Sequence, residues 1–238
     1  LMLSKTKLRP TREDRRFDRE ILSETFTIGL PALGTTFVSC FGYIAFARMV
    51  SGMGTTIFAA HSIAITAEQI VYIPGYGLRV ATSTLVGNAL GEKDIRKLKA
   101  TERVSILITL LIMVVNGIGL YLFAYPFMRL FTNSVNAARI GSEMLRLVSF
   151  SEPFFGLMIV LEGISYGMGR TKHVFACEAV SMWGIRIFGT FLCVNVFGLG
   201  LKAVWLCMIA DNICKAILLY IFRPKHVEEN ADDRGELR

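Results

Sequence analysis

The chain has 238 residues, of which 53% are hydrophobic and 19% charged, with a mean hydropathy of +0.50. An average soluble domain is about a quarter charged, so this composition excludes an ordinary water-soluble fold. The net charge of +7 does not point to nucleic acid. Its basic residues sit in short segments between apolar runs, not in the aromatic-and-basic pattern of a nucleic-acid surface.

In chain order, residues 1–20 form a charged lead-in carrying Lys5, Lys7, Arg9, Arg12, Arg15, Arg16 and Arg19. They lack the alternating large apolar residues of a lipid-surface helix, so a basic cytoplasmic linker is expected. Leu1 rather than Met at the start is expected of a piece of something longer. A first membrane span is predicted over 21–47, interrupted by Pro31; it has no charge from Thr25 to Ala47. Such a run is long enough to cross ~30 Å of hydrocarbon as a helix. A second apolar stretch, 56–90, is too long for one straight crossing, and a break is predicted at Pro74-Gly75-Tyr76-Gly77. Gly91 to Arg103 reads as a charged loop. Further spans are predicted over 104–127, 142–166 with Pro153 in mid-course, 174–196 and 203–222. Polar or glycine-rich turns separate them. Residues 224–238 read as a charged cytoplasmic tail. The fold class is thus an all-α integral membrane protein, a six-helix bundle over 21–223.

Counting basic residues on alternate sides gives sixteen on the side of the amino terminus and four (Arg48, Arg129, Arg139, Lys202) on the other. Positive charge accumulates on the cytoplasmic side. Both termini are therefore expected there, in a multi-pass protein of the plasma membrane.

Soluble-enzyme signatures are missing: there is no phosphate-binding Gly-x-x-x-x-Gly-Lys-Ser/Thr loop and no His-Glu-x-x-His. Neither catalytic residues, nor a metal site, nor a cofactor is expected. The five cysteines lie in apolar stretches without a Cys-x-x-Cys pair and read as small hydrophobes. Gly163 and Gly167 fit the small-xxx-small pattern of closely packed membrane helices.

What remains is the ionisable set inside the spans, which is costly in lipid and faces a cavity or a partner. His61, Glu68 and Arg79 are spaced by seven and eleven residues. At about 100° per residue they fall on nearly one helical face, beside the predicted break. They are candidates for a substrate or ion pathway, and pairing with neighbouring helices is the alternative. Glu152, before Pro153, is a candidate protonatable carboxylate; a hydrogen bond to backbone freed by Pro153 is the alternative. Glu162 is expected nearer the inner surface. Asp211 and Lys215, four residues apart in acid-to-base order, are expected to neutralise each other within one helix. Glu178 and Arg186 are expected to pair with other helices.

Several stretches resemble the multidrug and toxic compound extrusion family. Ile28-Gly29-Leu30-Pro31-Ala32, Gly54 to Ala64, Ile73 to Leu78 and Leu85 to Gly91 resemble its seventh and eighth helices. Ser151 to Phe155, Leu161 to Ile164 and Gly169 to Lys172 resemble its tenth. The resemblance runs over 21–222. It implies one lobe, the carboxy-terminal one, of a two-lobed twelve-helix exporter. Such an exporter carries organic cations or amphipathic drugs against protons or sodium, with the ion gradient as its energy source. The partners implied are the bilayer, the amino-terminal half and small organic cations. Some members place coupling carboxylates at positions that align here with Phe37 and Phe155, so Glu68 or Glu152, or the other lobe, would take that role. The alternatives are a lipid-linked precursor flippase of the same superfamily and a non-transporting structural membrane subunit.

Overall fold

A computed structural model describes residues 19–222. The lead-in as far as residue 18 and the tail proposed for 224–238 lie outside the described residues. Seven helices follow: α1 (Arg19–Ser51), α2 (Thr55–Gly91), α3 (Ile95–Phe131), α4 (Val135–Ser149), α5 (Glu152–Gly167), α6 (Thr171–Val196) and α7 (Leu201–Ile221). Five of these are long and apolar enough to cross a membrane. The α4–α5 pair, bent by 60° at Phe150-Ser151, makes a sixth span if taken as one. This is the six-span helical membrane bundle expected from the apolar runs.

Turn chemistry sets the helix ends. Gly54 (φ 108) and Gly169 (φ 70) occupy the left-handed backbone region that other residues avoid, so the chain reverses tightly at both. The Asp94 side chain accepts a hydrogen bond from the Lys97 amide and starts α3. Most of the charged segment predicted as a loop, from Ile95 onward, is therefore the first turns of α3. Helices α2 and α3 have 37 residues each and run about 55 Å, well beyond the hydrocarbon thickness.

Proline placement departs from expectation. Helix α1 runs unbroken through Pro31, and α2 runs unbroken through Pro74, Gly75 and Gly77. Proline at 74 leaves the Ile70 carbonyl without its amide partner. The α3 residue Asn116 donates from Nδ2 to the adjacent Val71 carbonyl at 3.1 Å. This ties α3 to α2 one residue from the freed carbonyl. Pro153 is not in mid-helix; it lies in the first turn of α5, just past the bend, where its missing N–H costs nothing.

Packing centres on α5, which lies against α2, α3 and α7. A Cβ on Gly163 would sit 2.7 Å from the Arg79 carbonyl oxygen, and one on Gly167 would sit 2.6 Å from that of Ser83. The two glycines thus let α5 approach the α2 backbone closely, as the small-xxx-small pattern implies. Gly117 of α3 does the same at the α4–α5 bend, where a Cβ would meet the Ser149 carbonyl oxygen at 2.8 Å. One buried cluster gathers Met128, Met144, Leu145, Val204 and Trp205; a second gathers Tyr72, Met113, Phe155, Ile159 and Leu219. Outside, α3 presents Leu107, Leu111, Val115, Ile118 and Leu122 as an exposed apolar stripe, a surface suited to lipid rather than water.

Candidate functional site

Helices α1, α2, α5, α6 and α7 surround a cavity of about 690 Å³. Its wall carries Glu68 and Arg79 from α2, Glu162 from α5, Glu178 and Arg186 from α6, and Lys215 from α7. Six ionisable groups inside an apolar bundle need partners or a function, because desolvation of each is expensive.

Most have partners, and the partners cross between helices. Arg186 Nη2 lies 2.8 Å from Asp211 Oδ2, both buried. Arg186 Nη2 also donates to Asn212 Oδ1 at 3.3 Å, and the Ser181 hydroxyl donates to the Asp211 carboxylate. Lys215 Nζ lies 2.5 Å from Glu178 Oε2 but 3.9 Å from Asp211 Oδ2. The expected Asp211–Lys215 pair within one helix is thus made, but only at the longer distance. Each residue finds a closer partner on α6, since that helix packs along α7 and offers an opposite charge at better geometry. Ser39 of α1 donates to Glu178 Oε1 at 2.5 Å, tying a third helix to the set. Residues 182–187 of α6, including Arg186, and residues 192–196 are wound as π-helix, a local widening often found at functional positions.

Arg79 Nη1 contacts Glu162 Oε2 at 3.1 Å, and its guanidinium lies 5.3 Å from the centre of the Tyr76 ring. Glu162 is buried on the cavity wall, where the close approach at Gly163 brings it opposite Arg79. The sequence reading missed this placement, although two opposite charges deep in adjacent spans were a usable signal.

Glu68 differs. It is buried and lines the cavity, yet has no ion-pair partner among the described residues. Its Oε1 accepts a hydrogen bond from the Tyr72 hydroxyl at 2.5 Å. Tyr72 stacks face to face on Phe155, ring centres 3.7 Å apart, with Tyr76 edge-on to Phe155 at 6.1 Å. The carboxylate thus sits beside an aromatic wall, an arrangement that attracts cations.

Two sequence candidates fall outside the cavity wall. His61 is buried between Phe46 and Trp205, at ring distances of 5.5 and 5.8 Å. The predicted polar stripe is thus corrected to Glu68 and Arg79, since the His61 turn of α2 is covered by α1 and α7 aromatics. Glu152 is wholly buried at the α4–α5 bend, not on the cavity wall, and neither carboxylate oxygen has a hydrogen-bond partner. The backbone hydrogen bond weighed for it is not made. Phe37 faces outward in an apolar groove beside Trp183.

The bundle of membrane-length helices thus encloses a cavity of ionisable and aromatic groups. Residues 31–192 match the MatE family model, and the chain belongs to that family, whose members are transporters and not enzymes. It is 30% identical over 201 residues to a probable multidrug resistance protein NorM of Thermotoga maritima, covering 84% of this chain and 43% of that one. It is 28% identical over 204 residues to a probable NorM of Photorhabdus laumondii, covering 84% and 45%. A solved structure described as MATE in complex with MaL6 superposes with a TM-score of 0.83 at 22% identity, covering 91% of this chain and 49% of its own. An outward-facing multidrug resistance MATE family transporter gives 0.82 at 22% identity with the same coverage. The chain spans about half the length of the relatives it matches.

Proposed function

We propose that the chain forms the carboxy-terminal lobe of a multidrug exporter. It works with an amino-terminal lobe in the plasma membrane, both termini cytoplasmic, and exchanges organic cations or amphipathic drugs for protons or sodium. The reading is supported by the NorM relatives and by the uneven spread of basic residues between the two membrane faces. The observation that carries it is Glu68, a buried carboxylate on the cavity wall that makes no ion pair among the described residues, its nearest basic influence being the more distant Arg186, with an aromatic surface alongside. An organic cation or a coupling ion would supply the missing positive charge. Phe155 stands where some members carry a coupling carboxylate, and through Tyr72 it lies next to Glu68; the charge has moved to the neighbouring helix. Occupation of the cavity by cation and by proton in turn biases the two lobes between inward- and outward-facing states.

A flippase for lipid-linked anions would be served by surplus positive charge. The wall instead sets Arg79, Arg186 and Lys215 against Glu68, Glu162 and Glu178, which favours the exporter. The test is extrusion of a fluorescent organic cation from cells expressing the complete gene, under imposed proton or sodium gradients. Gradient-dependent extrusion that Glu68→Gln abolishes is expected. No extrusion under either gradient overturns the proposal.

A further inference from the structure

Helix α6 meets α7 near the 197–200 turn, and there two thiols face each other: Cys193 Sγ lies 3.7 Å from Cys207 Sγ. Both are half-buried, and both are free. The helices are close at this level, since a Cβ on Gly189 would sit 3.3 Å from Cys207 Sγ. Cys193 lies in the π-helical stretch 192–196, whose backbone hydrogen bonding is less regular than that of an α-helix. A disulfide has its sulfurs about 2 Å apart, so the pair must close by roughly 1.7 Å, a movement that rotation about the Cα–Cβ bonds supplies.

We infer that Cys193 and Cys207 form a redox-active pair that closes to a disulfide and staples α6 to α7. The step needs an oxidant of the disulfide or azodicarboxamide class. One thiolate attacks it, the second displaces the adduct, and the pair gives up two protons and two electrons while the oxidant is reduced to two thiols or a hydrazine. In the topology counted from basic residues the 197–200 turn faces outward, the side on which disulfides persist. The helices that would be stapled carry Glu178 and Arg186 on one and Asp211 and Lys215 on the other, so the bond would hold the two cross-helix ion pairs in register. Among the described residues, Cys193–Cys207 is the thiol pair in contact; Cys177 and Cys214, also on α6 and α7, act on each other only at longer range.

The full-length protein in detergent is treated with diamide, its remaining thiols are alkylated, and tryptic peptides are read by mass. Cleavage at Arg186, Lys202 and Lys215 separates Cys193 (peptide 187–202) from Cys207 (peptide 203–215). The expected product is 187–202 linked to 203–215, reversed by dithiothreitol, retained in Cys214→Ser, lost in Cys193→Ser and in Cys207→Ser. The oxidised protein should also unfold at a higher temperature than the reduced one, a difference that Cys193→Ser removes. Full alkylation of both cysteines after diamide in the folded protein, or a link that runs through Cys214, overturns the inference. None of these readouts depends on transport activity.

Discussion

The polar interior has two unlike parts. Between α6 and α7 the charges are paired: Arg186 meets Asp211, Lys215 meets Glu178, and Ser39, Ser181 and Asn212 add hydrogen bonds, although Arg186 Nε is left without one. On α2 and at the α4–α5 bend, Glu68 and Glu152 are equally buried but meet no cation among the described residues. Burial alone therefore does not distinguish a charge that holds helices together from one available for work; the partner does. Paired groups fix the α6–α7 geometry, whereas an unpaired carboxylate on a cavity wall is free to bind what the cavity admits.

The comparison breaks most visibly if the paired side is tolerant. Asp211→Ala strands the Arg186 guanidinium in a dry interior, and the expected loss is about 3–5 kcal/mol of stability, read as a large fall in unfolding temperature in detergent. Replacing both partners, Arg186→Met with Asp211→Leu, should recover most of it, because no unpaired charge remains. A smaller effect is expected at the α2–α5 contact. Gly163→Leu drives a side chain into the Arg79 backbone and should cost about 1–3 kcal/mol. Gly77→Ala, with nothing within 4 Å of the added Cβ, should instead leave stability unchanged or raise it by about 0.5–1 kcal/mol. The smallest effect is predicted on the unpaired side. Glu68→Gln and Glu152→Gln strand no partner and should each shift stability by less than about 1 kcal/mol in the same unfolding assay.

The spans were legible because lipid imposes long charge-free runs, and a close helix contact at Gly163 and Gly167 because they recur at helical spacing, though not that α2 makes it. The breaks were not. Proline spacing cannot reveal that α2 runs on unbroken through Pro74, nor that the bend near Pro153 falls two residues earlier, at Ser151. Of the site, Glu68 and Arg79 were readable from periodicity, and the cross-helix role of Glu178 and Arg186 from their depth. The closer partners of Asp211 and Lys215 on α6 were not readable, since intrahelical spacing shows only the pair they make with each other while helix packing adds nearer ones. His61 shows the converse: its spacing matched the stripe, but Phe46 and Trp205 from other helices enclose it.

The central claim is that Glu68 supplies the counter-charge for a cation in the cavity. It is tested most directly by binding of a fluorescent organic cation to the full-length protein in detergent, with wild type beside Glu68→Gln across pH. The account predicts binding that weakens as pH falls, because a neutral carboxylic acid no longer attracts the cation, and that is weak and insensitive to pH in Glu68→Gln. Equal affinity and an unchanged pH profile in the two proteins would contradict it.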